Sequence, residues 1–98
     1  MYMIDPAIVQ TVKQITKPRL PDDSYSVILF GSRVSGRNRR FSDIDIGILG
    51  PKPLPGVNYV DIIDALEQSD LPYRADVVDF SCMSDTVKKH ALMHAMPI

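Results

Sequence analysis

Between Asp43 and Leu49 the chain alternates strictly. Ile44, Ile46 and Ile48 fall on one side, and Asp43, Asp45 and Gly47 on the other. Successive side chains of an extended strand point to opposite faces. The run therefore predicts a half-buried strand with an isoleucine face and a carboxylate face. The isoleucines need a layer to pack against. The two aspartates sit about 6.5 Å apart at the backbone, twice the rise per residue, and carboxylates at that spacing converge on one cation or bracket two. Gly47, on the same face, is expected to leave room beside Asp45 for a ligand. Taken alone, the run is explained equally well by an edge strand whose acids only prevent aggregation.

The flanking sequence supplies the layer. Asp5-Pro6 starts a helix well, a capping carboxylate followed by proline at the first helical position, and Ile8, Val12 and Ile15 follow at helical spacing. Pro18 and Pro21 end that segment. Tyr25 to Phe30 reads as a strand. Residues 31–42 form a polar loop with Arg33, Arg37, Arg39 and Arg40. Pro51, Pro53 and Pro55 make a stiff connection to a helix over Asn58–Gln68, with Tyr59, Ile62, Ile63 and Leu66 on its inner side. Arg74–Phe80 is a third strand, with Asp76 and Val78 on one face and Val77 and Asp79 on the other. Ser84 caps a last helix running through Ala95. The order helix, strand, strand, helix, strand, helix predicts an α/β (α+β) fold: a small mixed sheet with helices packed on one face. At 98 residues, one domain over 1–98 is expected.

Composition excludes several classes. The 11 Lys+Arg against 12 Asp+Glu leave a net charge of −1, which gives no global attraction to nucleic acid or to a membrane surface. The arginine loop contains one aromatic, Phe41, too few for a stacking platform, so nucleic acid is not an expected partner. No apolar stretch approaches the twenty residues of a membrane span, and the start lacks the basic-then-apolar pattern of a signal peptide. The single cysteine, Cys82, forms no disulfide within the chain and is read as structural; this fits a cytoplasmic protein. His90 and His94 stand one helical turn apart, but no third ligand accompanies them, and a packed histidine is the expected reading. Self-association is compatible with all of this.

The segment before the aspartate strand decides between the two readings of its acidic face. Gly31-Ser32 follows a strong strand directly. Glycine permits a tight turn and close approach of the backbone to a phosphate, and backbone N–H groups there, with the Ser32 hydroxyl, make an anion cradle. Arg33 adjoins it. The full pattern is Leu29-Phe30-Gly31-Ser32-Arg33-Val34-Ser35-Gly36, a basic linker, then Ser42-Asp43-Ile44-Asp45-Ile46-Gly47-Ile48. It closely resembles the signature of the nucleotidyltransferase superfamily, glycine-serine, a spacer, then Asp-x-Asp. In particular it is similar to the minimal nucleotidyltransferases, small prokaryotic proteins related to the kanamycin nucleotidyltransferase domain.

The resemblance covers nearly the whole chain and carries specific implications. Asp43, Asp45 and a third carboxylate on a later strand, at Asp76, would hold Mg²⁺ and form the catalytic set. Gly31, Ser32 and Arg33 would bind the phosphates of a nucleoside triphosphate, ATP above all. Asp79 is expected to be a strand-end acid on the opposite face. Larger relatives carry a second, helical domain that helps hold the acceptor, so a separate chain is expected to supply it here. Minimal nucleotidyltransferases are often paired with a helical HEPN-type protein as antitoxin and toxin, with AMP transferred to a tyrosine hydroxyl of that partner. The rival implication is a non-catalytic nucleotide-binding module that neutralises its partner by contact.

Overall fold

A computed structural model describes residues 5–30, 44–71, 74–93 and 95–98. Helix α1 spans Pro6–Thr16. The Asp5 carboxylate accepts the Ala7 N–H at 2.8 Å, satisfying one of the donors that a helix start leaves unpaired. Thr16, fully buried at the other end, spends its hydroxyl on the Val12 carbonyl at 2.8 Å, which removes the cost of an unpaired polar atom. Pro18 has no N–H to continue the helix, and the chain closes into a short 3₁₀ turn over Lys17–Arg19.

Strand β1, Ser26–Phe30, pairs antiparallel with β2, Ile44–Leu49. The chain then forms α2, Gly56–Glu67, and returns as β3, Ala75–Asp79, parallel to β2. A 3₁₀ turn, Phe80–Cys82, precedes α3, Asp85–Leu92, whose N-cap Ser84 accepts the Val87 N–H at 3.3 Å. The last element is a two-residue strand, β4, Met96–Pro97, antiparallel to β1. The four-stranded mixed sheet has the order β3-β2-β1-β4.

Two boundaries differ from the sequence reading by two residues or more. Helix α2 begins two residues before Asn58, whose side-chain amide donates to the Arg19 carbonyl at 3.0 Å and ties α2 to the 3₁₀ turn that follows α1. The final helix stops at Leu92 and not near Ala95. Met96 and Ile98 pack against the core, and the Ile98 N–H donates to the Val27 carbonyl at 3.1 Å. Pairing with β1 outweighs the weak helical preference of this segment, and Pro97 is tolerated because β4 is an edge.

The core lies on the isoleucine face. Ile44, Ile46 and Ile48 are fully buried against Val27, Leu29 and Val77 of the sheet, Val12 of α1, and Ile62 and Leu66 of α2. Complete burial of each such side chain contributes about 1.5–3 kcal/mol. Helix α3 contributes no buried residue, and Val87, Leu92 and Met93 stay exposed.

Candidate functional site

Strand directions collect the motif at one end of the sheet. Because β1 and β2 are antiparallel, the C-terminal end of β1 lies beside the start of β2; because β2 and β3 are parallel, their starts lie together. The register makes this concrete: Phe30 pairs with Asp45, and Asp45 pairs with Asp76. Three sequence-distant segments thus meet in one row. The Ile44 N–H donates to the Arg74 carbonyl at 2.9 Å and fixes that register at its first step. Gly31 follows Phe30 in sequence, but Gly31, Ser32, Arg33 and Asp43, like Arg37, Arg39 and Arg40, lie outside the described residues.

Asp45 and Asp76 share a face of the sheet on neighbouring strands, about 4.8 Å apart at the backbone. Asp45 is half-buried and Asp76 exposed. Two adjacent carboxylates are hard oxygen donors of the kind magnesium takes, with the rest of its shell left to phosphate and water. They fit the expected ion in donor type and in number. Among the described residues no three His, Cys, Asp or Glu gather tightly enough to hold a metal, and a third acid for this pair would have to be Asp43.

Asp79 has a different employment. It lies on the helix-covered face, beside Ile48. One carboxylate oxygen accepts the Leu54 N–H at 2.7 Å and the other the Ser81 N–H at 2.9 Å. Partial burial pushes its pKa up, but the N–H donors of Leu54 and Ser81, with the Ser81 side chain, outweigh burial and hold it below the ordinary carboxylate value. Asp79 joins the proline-rich connection to the end of β3. The acids at 76 and 79 are therefore divided between the two faces, as the alternation requires.

Gly47 corrects an expectation. The space its missing side chain leaves is occupied by protein. A Cβ there would lie 2.8 Å from Phe80 Cε1 and 2.9 Å from Ile28 Cγ1. Phe80 is fully buried and meets Phe30 edge-to-face, with ring centroids 5.1 Å apart at 78°. The carboxylate face thus carries a small apolar cluster of its own, Ile28, Phe30 and Phe80, alongside Asp45. By sequence Phe80 ends the third strand with no role of its own; in the structure it opens the 3₁₀ turn after β3. The available signal was a glycine inside an isoleucine-rich strand, which marks close approach of another group.

Two other candidates carry no site. His90 is exposed on α3, and His94 lies outside the described residues. Cys82, expected to be structural, is exposed and adds nothing to the core. A hollow of about 470 Å³ opens beside Asp76, between α2 and the start of β3, lined also by Ile63, Leu66, Glu67, Leu71 and Arg74. Among the described residues no helix is long and apolar enough to cross a membrane.

Known proteins resemble the chain in sequence and in fold. Residues 10–98 match the family model described as polymerase beta, nucleotidyltransferase. Over 78 residues the chain is 36% identical to a probable protein adenylyltransferase, MntA, of Haemophilus influenzae, covering 80% of this chain and 67% of that protein. Among solved structures, a toxin–antitoxin complex with AMP-PNP superposes with a TM-score of 0.65 at 23% identity, covering 96% of this chain and 72% of the other. A tri-AMPylated Shewanella oneidensis HEPN toxin in complex with its MNT antitoxin gives a TM-score of 0.66 at 21% identity, covering 93% and 68%. At these identities the structural likeness establishes the fold.

Proposed function

The chain belongs to the polymerase beta nucleotidyltransferase family, and we propose that it transfers AMP from ATP to a hydroxyl of a helical HEPN-type partner, as the antitoxin of a toxin–antitoxin pair. The observation that carries this reading is the row Phe30–Asp45–Asp76. It brings the end of the strand before Gly31-Ser32, the second acid of Asp-x-Asp and a third carboxylate to one end of the sheet. A relative that is a probable protein adenylyltransferase and neighbours that are antitoxin–toxin complexes support the donor and the class of acceptor.

Each residue has a task in this reaction. The backbone N–H groups at Gly31 and Ser32, the Ser32 hydroxyl and Arg33 hold the outer phosphates of ATP. Asp43, Asp45 and Asp76 would hold Mg²⁺, which when bound would neutralise charge on the departing pyrophosphate and acidify the attacking hydroxyl. Asp76 takes the acceptor proton on a carboxylate oxygen as the new O–P bond forms and the bond to pyrophosphate breaks. Along the row from β1 to β3, the strand that leads into Gly31-Ser32 comes first and Asp76 last. An in-line nucleophile must arrive opposite the leaving group. Positioning and charge neutralisation supply most of the rate. The reaction belongs in the cytoplasm, where ATP is available.

Calorimetry tests the donor site directly. ATP should bind much more tightly with magnesium than without, because the cation removes repulsion between phosphates and carboxylates. The Asp45→Asn protein should lose that difference. Equal ATP affinity in parent and variant, with magnesium present, would remove Asp45 from the site.

A further inference from the structure

We propose that Phe80 is a positioning residue for the metal-binding carboxylates, acting on Asp45 through Phe30 and through the close contact that Gly47 permits. The inference rests on the reading of the Asp45–Asp76 face as the nucleotide site.

The geometry is local. Asp45 has Phe30 as its cross-strand partner on one side and Asp76 on the other. The next residue along its own strand on the same face is Gly47, and the Phe80 ring fills the place where Gly47 has no side chain. The Phe80 ring also meets Phe30 edge-to-face. Two aromatic rings therefore border Asp45, one across the strand and one along it.

This arrangement has two consequences for a cation. It narrows the rotamers open to Asp45, so less order is lost when the carboxylate engages a metal. It also keeps water from one side of the charge, and attraction between a carboxylate and a cation strengthens as the local dielectric falls. A filler of the isoleucine-face core has neither consequence. Phe80 is held in place independently of any ligand. Asp79, the residue before it, anchors the turn through the N–H groups of Leu54 and Ser81. The sequence thus uses Gly47 to admit Phe80 to the catalytic face, and Asp79 to aim it.

Substitutions on the two faces separate positioning from simple stability. Phe80→Leu and Gly47→Ala each disturb the ring on the catalytic face, and Val12→Ala opens a cavity in the core on the other face. Magnesium-dependent binding of a non-hydrolysable ATP analogue is measured by calorimetry on the full chain, alongside the melting temperature of each protein. Assays run well below the lowest melting temperature, so that all variants are folded. Phe80→Leu and Gly47→Ala should weaken magnesium-dependent binding about tenfold, while Val12→Ala melts earlier and binds as the parent does. Phe80→Met, which refills the space and keeps a sulfur–aromatic contact with Phe30, should recover most of the affinity. If Phe80→Leu and Val12→Ala lower melting equally and neither changes affinity, Phe80 is structural only and the inference fails. A parent protein with no magnesium-dependent affinity overturns the site reading itself, and the inference with it.

Discussion

The two faces of β2 are built from adjacent residues and do opposite work. On the isoleucine face every side chain is buried against α1, α2 or a neighbouring strand, and nothing there is chemically reactive. On the other face Asp45 stands beside Asp76, with one small apolar cluster next to them. Stability and chemistry are thus separated by a single residue step along the strand. A one-residue slip in register would exchange them, so the deep isoleucine face also protects the alignment of the acids.

Substitutions on each face should therefore fail in different ways. The largest effect belongs to the carboxylate face. Asp45→Asn should reduce nucleotide transfer about a thousandfold, the scale of losing a principal electrostatic group at a reacting centre. Its melting temperature should stay within a few degrees of the parent, since no packing is lost. Radiolabel transfer and a thermal melt on the same preparation check both halves. Ile46→Ala should show the reverse, losing about 3 kcal/mol of stability from a fully buried site while each folded molecule retains near-parental turnover. Urea unfolding with activity per folded fraction separates the two.

A smaller effect sharpens the boundary between the faces. Asp79 has a carboxylate pKa below its ordinary value because it accepts from Leu54 and Ser81. A group held down in this way stabilises the fold at pH values above its unfolded pKa. That contribution is lost as pH falls through the folded pKa. Asp79→Asn should cost about 1 kcal/mol at pH 7, and the gap between parent and variant should close in acid, below the ordinary value of 3.8. Turnover should fall far less than in Asp76→Asn. The smallest effect is expected at α3, which buries nothing: Val87→Ser should change stability by no more than about 0.5 kcal/mol.

Much of this division is legible in the sequence, for identifiable reasons. Alternation is a local property, and a run as regular as Ile44–Ile48 shows which residues face inward. The same rule assigns Asp76 and Asp79 to opposite faces. Capping is also local, which is why Asp5-Pro6 and Ser84 mark their helices. What the sequence does not reveal depends on partners distant along the chain. The 96–98 segment carries no strand pattern of its own; its pairing with β1 exists only once β1 has an open edge. Phe80 meets Gly47 and Phe30 across 33 and 50 positions, and no periodicity records such a contact. Gly47 is a further case: its place on the acidic face suggests room for a ligand, and the space is filled by Phe80 and Ile28.

The central claim is that the carboxylate face transfers AMP to a helical partner. Intact mass spectrometry of that partner tests it most directly. The chain is incubated with ATP, magnesium and a HEPN-type helical protein from the same host, and the partner is weighed before and after. The account predicts a gain of one or more adenylyl groups on the partner, absent with Asp45→Asn and absent when magnesium is chelated. A partner that co-purifies with the chain but gains no mass, or gains the same mass from the Asp45→Asn protein, would contradict it.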